Sequence, residues 1–176
     1  MSKSSQDPVV IVGLARTPMG AFQGAFSTVT APQLGAAAIK AAMDESGVAA
    51  DKVEQTIMGC VLPAGQGQAP ARQAAIYAGL GEHCEATTVN KMCGSGMQAA
   101  IMAHDAIKAG SVDIAVAGGM ESMTNAPYLM QSARGGARMG DTKMIDSMMY
   151  DGLTDAYEGN ATVSYTHLTL PTICSV

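Results

Sequence analysis

The sequence predicts a layered α/β domain with a mostly parallel central sheet. Three observations carry that expectation. Short apolar or β-branched runs alternate with alanine-rich amphipathic stretches through the first 120 residues, the pattern that builds parallel sheets with crossover helices. Glycine or proline stands at most of the junctions, where helices stop and turns begin. With 176 residues, 48% of them apolar and only 14% charged, the chain can bury the core of one sizeable domain.

The elements follow in order. Pro8 to Ala15 (PVVIVGLA) reads as a strand buried on both faces, ended by Arg16-Thr17-Pro18, with a loop over Gly20 to Ser27. Thr30-Ala31-Pro32-Gln33 starts a helix as a capping box with proline in the first turn. That helix runs to about Ser46, and Gly47 suits its stop. Val53 to Val61 is the second strand, and Leu62 to Ala69 a glycine-punctuated loop. Pro70 opens a helix over about Ala71 to Ala78, and Glu85 to Asn90 is a short β-branched strand. After a sharp turn at Lys91 to Cys93, a third helix runs from about Gly94 to Ala109, and Asp113 to Ala117 is a further buried strand. From Glu121 to about Gly159 the pattern loosens into Gly-, Met- and Asp-rich loops, an excursion from the core. The 20 glycines and abundant alanine predict elements packed backbone-close, and the 14 methionines read as adaptable gap fillers.

Composition excludes several functions. A net charge of −5 with no basic run gives no footprint for nucleic acid. No apolar stretch approaches the roughly 18–20 residues that span a bilayer. The polar start, Met1 to Asp7, lacks a signal peptide's apolar segment. A cytoplasmic protein is expected. The cysteines Cys60, Cys84, Cys93 and Cys174 form no C-x-x-C pair, so no zinc site is expected, and a reducing compartment keeps them as thiols.

The segment that carries chemistry is Asn90-Lys91-Met92-Cys93-Gly94-Ser95-Gly96-Met97. A strand ends, the chain turns, and a cysteine meets the first turn of a helix rich in small residues. Unpaired N–H groups at a helix start favour a thiolate. Gly94 and Gly96 leave room for a bulky thioester, and a backbone N–H there can face a developing oxyanion. Turn chemistry alone favours a second reading, in which Cys93 is an inert, buried apolar residue.

The same stretch resembles the active-site cysteine segment of the thiolases, of the acetyl-CoA acetyltransferase type. VIVGLARTPMGAF (Val10 to Phe22) resembles the family's opening strand and loop. GQGQAPARQAA (Gly65 to Ala75) resembles a dimer-interface loop and helix. VAGGMESMTNAPY (Val116 to Tyr128) resembles the family's glycine–methionine–glutamate segment, and RGGARMGDTKMIDSMMYDGLTDAY (Arg134 to Tyr157) resembles the start of the loop domain that covers coenzyme A. The resemblance implies the N-terminal half of an α-β-α-β-α layered fold, with residues 1–120 as the core half and 121–161 as the start of the loop domain. It implies acyl transfer between coenzyme A thioesters through a Cys93 acyl-thioester, with no metal or redox cofactor, in a homodimeric or homotetrameric enzyme of fatty acid or related metabolism.

Other residues are weighed beside Cys93. His83 and His104 stand outside the family's catalytic motifs, and Cys60 and Cys84 read as structural. Glu121 and Ser122 are candidates for a supporting role where the core meets the loop domain, and Leu153 for lining the acyl or pantetheine channel. Beyond Gly159 the resemblance ends. Residues 162–176, with His167 and Cys174, read as a foreign tail, and the G-H-P, C-x-G and N-E-A-F type motifs of the family do not occur in the chain. The expectation is a chain with little turnover of its own and an exposed, aggregation-prone apolar face. The alternatives are a ketoacyl-synthase-like condensing enzyme, or a non-catalytic piece that associates with full-length thiolase.

Overall fold

The structure, a computed structural model, describes residues 8–157 and 159. Met1 to Asp7 and the 162–176 segment, with His167 and Cys174, lie outside the described residues. The core elements are helix α1 (Ala31–Ser46), strand β1 (Gln55–Gly59), helix α2 (Pro70–Tyr77), strand β2 (Glu85–Val89), helix α3 (Ser95–Lys108) and strand β3 (Ala115–Gly119). The three strands form a parallel sheet in the order β2-β1-β3.

Alternation along β1 decides how the layers stack. Met58 belongs to a core with Ala71, Ala74 and Ala75 of α2 and with Ala31 and Ile39 of α1. Ile57 points the other way, to Ala99 and Ala103 of α3. Burying a side chain of that size contributes about 1.5–3 kcal/mol. The chain crosses from β1 to β2 through α2, then reverses direction to reach β3 through α3. Crossovers of one hand that run in opposite directions must place their helices on opposite faces, as these do.

Local chemistry matches the expected helix ends. Thr30 Oγ1 accepts from Gln33 N, Gln33 Oε1 accepts from Thr30 N, and Pro32 lies in the first turn; such a cap stabilises a helix by about 1 kcal/mol. Gly47, at φ 67°, ends α1 and donates its N–H to the Met43 carbonyl. The Arg72 guanidinium of α2 donates to the carbonyls of Cys84 and Glu82, fixing the entry into β2.

Three expectations need correction. Pro8 to Ala15 is not a buried strand: it pairs in no ladder among the described residues, and Val10 and Ile11 are 72% and 80% exposed. An apolar run becomes a strand only where a neighbour offers a ladder, which periodicity cannot reveal. This segment instead lies along α1, with the Leu14 N–H donating to the Glu45 carboxylate at 2.8 Å and Gly13 closely packed on Ala42. The last core strand starts two residues later than the DIAVA run suggests. It is half-exposed rather than buried, because β3 has only one strand neighbour. The Glu54 carboxylate accepts from the N–H groups of Asp113 and Ile114, drawing the lead-in to β3 towards β1 and holding its own pKa below the usual glutamate value. Finally, gap filling describes buried Met58 and Met120 but not Met19, Met139 or Met144, which are exposed.

The excursion after β3 contains short 3-10 turns, a two-residue antiparallel pair of β4 (Tyr128–Leu129) and β5 (Ile145–Asp146), and a π-helical turn at Met148–Leu153. Buried Ser147 anchors it, donating from both Oγ and N to the Pro127 carbonyl. No described helix is long and apolar enough to cross a membrane.

Candidate active site

All three strands of the sheet point their carboxyl ends at one cavity of about 420 Å³, a size that suits small-molecule sites. Gly59, Cys60 and Leu62 come from the end of β1. Met92, Cys93, Ser95 and Gly96 come from the turn between β2 and α3. Gly119, Met120 and Glu121 come from the end of β3, and Met123, Met148, Gly152 and Leu153 close the cavity from the excursion. Open α/β sheets characteristically form sites at such carboxyl ends, where crossover direction reverses. A shallower groove of about 330 Å³ between α1 and α2, with Gln33, Lys40 and Tyr77, brings no nucleophile.

Cys93 is exposed and is a free thiol, which rules out the reading of it as a buried apolar residue. Its position is set by a tight turn. The N–H groups of Gly94 and Ser95 turn back to the carbonyls of Lys91 and Met92, at 3.1 and 3.0 Å. Ser95 is buried; its Oγ accepts from Lys91 N at 2.9 Å and donates to Met92 O at 2.6 Å. Met92 adopts a left-handed backbone, φ 49°, which costs a non-glycine residue about 1–2 kcal/mol. The turn sits close to β1 because Gly59 has no side chain: a Cβ there would stand 2.6 Å from Ser95 Cβ and 2.8 Å from Gly96 N.

Glu121 ties the strand ends together. Its carboxylate accepts from Val61 N at 2.7 Å and Leu62 N at 3.2 Å. The Val61 carbonyl in turn accepts from Asn90 Nδ2 at 3.2 Å, and Asn90 Oδ1 accepts from Met92 N at 3.0 Å. The path from β3 through β1 to the turn of Cys93 is continuous.

Cys60 shares the cavity but is 1% exposed. Its thiol faces Glu121 Oε1 at 3.7 Å and the side chain of Gln66. Burial first, and the Glu121 charge second, push its pKa up to about 11. Cys84 is fully buried against Thr56. His83 precedes β2, at the amino end of the sheet, opposite the cavity. His104 lies nine residues along α3 from Ser95, about 14 Å away at 1.5 Å per residue, beside Asp105. The structure thus brings Glu121 and Leu153 to the Cys93 cavity and neither of these histidines. Ser122 does not line it; its hydroxyl accepts from Asn125 Nδ2. Among the described residues, no group of three His, Cys, Asp or Glu side chains could hold a metal ion.

Asn90 and Ser95 are the residues that sequence reasoning passes over. The available signal was their spacing: an asparagine two before, and a serine three after, the residue that must turn left-handed, each able to bond locally to the backbone.

Comparison with known proteins agrees with this geometry. The model of the thiolase N-terminal domain matches residues 9–167, a span that ends within the 162–176 segment. An acetyl-CoA acetyltransferase of Saccharomyces pastorianus is 55% identical over 155 residues, covering 87% of this chain and 39% of that protein. One of Cupriavidus necator is 52% identical over 149 residues, 85% of this chain and 38% of its own length. Acetyl-CoA acetyltransferase A, mitochondrial, of Xenopus laevis is 48% identical over 156 residues, 89% of this chain and 37% of its own. The chain therefore spans about two fifths of the length of these curated relatives. A strand–turn–helix that presents a free thiol at the carboxyl edge of a parallel sheet and a family match over nearly the whole chain agree: the chain belongs to the thiolase family.

Proposed function

We propose that the chain supplies the acyl-accepting nucleophile and one wall of the substrate cavity in a thiolase-type acetyl-CoA acetyltransferase. The observation that carries this reading is an exposed thiol, Cys93, in the turn two residues before α3 and on the cavity where all three strands end. In the proposed reaction, Cys93 sulfur attacks the carbonyl of an acyl-CoA. A new S–C bond forms, the bond to the coenzyme A sulfur breaks, and coenzyme A leaves and takes up a proton. A second acyl-CoA gives an α-proton to a base and attacks the enzyme thioester. A C–C bond forms and the electron pair returns to Cys93 sulfur; thiolysis is the reverse.

The carbonyl of a thioester already acidifies its α-carbon, which supports the expectation that acyl-CoA and coenzyme A suffice without a metal or redox cofactor. The half-buried Leu153 and Met148 offer the cavity an apolar wall suited to a thioester's carbon chain. Neither His83 nor His104 reaches the cavity, so the described part holds a nucleophile without a histidine base. We infer little turnover by this chain alone. The exposed apolar run at Val10 to Leu14 supports further assembly, as in a homodimeric or homotetrameric enzyme. Thiol usage supports a cytoplasmic setting, and the thioester chemistry a part in fatty acid metabolism; one relative carries "mitochondrial" in its name.

Incubation with acetyl-CoA followed by peptide mass mapping tests the assignment. One hydroxylamine-labile acetyl group is expected on Cys93 and is lost in Cys93→Ala. No acetyl group there, or acetylation of another cysteine instead, overturns it. Multiple-turnover thiolysis of acetoacetyl-CoA that disappears in Cys93→Ala would contradict the inferred lack of turnover.

A further inference from the structure

We propose that Asn90 is a positioning residue for Cys93: it clamps Met92 in its left-handed backbone and ties that turn to the end of β1. The inference rests on Cys93 as the nucleophile, but its test does not need turnover. Both backbone polar groups of Met92 are held by side chains. Asn90 Oδ1 accepts its N–H at 3.0 Å, and Ser95 Oγ donates to its carbonyl at 2.6 Å. Methionine has no short polar group with which to stabilise a left-handed backbone by itself, so the support must come from its neighbours. Of the two, only Asn90 also hydrogen-bonds across to the segment that follows β1, through Nδ2 to the Val61 carbonyl at 3.2 Å. Val61 is itself fixed by Glu121 and adjoins Cys60 in the opposite wall of the cavity. Without the clamp, Met92 relaxes towards an ordinary backbone, and Cys93, the next residue, leaves the helix start.

The two contacts of Asn90 can be separated. Asn90→Asp keeps the acceptor and loses the donor, whereas Asn90→Ala loses both. Met92→Gly removes the need for a clamp, because glycine adopts positive φ freely. The readout is the rate of iodoacetamide labelling of Cys93 in the native full chain, followed by peptide mapping. Strain of this kind, when released, predicts a fall of about tenfold in Asn90→Ala and less than about threefold in Asn90→Asp. In a Met92→Gly background, Asn90→Ala should change the rate by less than about twofold, so the pair is non-additive. An unchanged rate in Asn90→Ala, or the same fall in the glycine background, overturns the proposal. Should Asn90→Ala alone fail to fold, the double variant decides: a folded chain whose labelling matches Met92→Gly supports the clamp, and continued failure overturns it.

Discussion

Cys60 and Cys93 stand on one cavity, each just past the end of a strand, yet the structure treats them in opposite ways. Past β1 the chain stays inside: Cys60 is covered, its sulfur faces a carboxylate and an amide, and its pKa lies near 11. Past β2 the chain turns through a left-handed residue and brings Cys93 out at the start of a helix. The same side chain, one residue past β1 and four residues past β2, is thus covered in one case and exposed in the other. What separates them is the backbone path and the local field, not the residue type.

The largest expected effect tests that separation directly. Raising a thiol from the ordinary 9.0 to about 11 leaves roughly a hundredfold less thiolate at neutral pH. Coverage of Cys60 widens the gap further. Native-state labelling with iodoacetamide at neutral pH should therefore modify exposed Cys93 much faster than covered Cys60. Comparable rates in folded protein would remove the distinction between the covered and the exposed thiol.

A smaller effect concerns the contact that joins the two regions. Gly59, the last residue of β1, lets the start of α3 approach to a distance that a Cβ would violate, against Ser95 and Gly96. The atoms it would meet are largely backbone, which cannot swing aside. Gly59→Ala should cost about 1–3 kcal/mol in urea unfolding, as overpacking does, and should also slow Cys93 labelling by displacing the turn. Normal stability with normal labelling would show that the close approach is not needed.

The same contrast explains what the sequence made legible. The helix ends at Thr30 and Gly47 and the turn at Cys93 were readable, because caps and turns depend on a few adjacent residues. The parallel sheet followed from alternation. Pro8 to Ala15 departs from the expected strand because a strand requires a partner, and its apolar residues say nothing about whether one is present. The extra burial assigned to β3 failed for a related reason, since an edge position is a property of the sheet. Cys93 can be singled out, but the spacing of Asn90 and Ser95 becomes a signal only once the left-handed backbone at Met92 is known, which a methionine does not advertise. The contact between Glu121 and Cys60, 61 residues apart, emerges only when the ends of β1 and β3 meet.

Glu121 offers the finest way to sharpen the comparison, because it serves both the wall and its thiol. Its carboxylate accepts the N–H groups of Val61 and Leu62 and its charge opposes ionisation of Cys60. Glu121→Gln keeps the shape and one acceptor oxygen but removes the charge. Weakening these charge-assisted bonds should cost about 1–2 kcal/mol in urea unfolding. The thiol should ionise more readily, with its pKa moving down from about 11, though burial, the larger cause, remains. The sign follows for stability as well. A thiol raised in the folded state favours the fold while it is protonated and disfavours it as pH climbs from the ordinary 9.0 towards about 11. The alkaline loss of stability should therefore be smaller in the variant. Cys60 labelling separates charge from mere loosening: relief of repulsion moves the midpoint of its pH profile down and leaves the high-pH plateau rate unchanged, whereas an opened wall raises that plateau as well. Only the first outcome leaves the Glu121 charge, beside burial, as a cause of the raised Cys60 thiol.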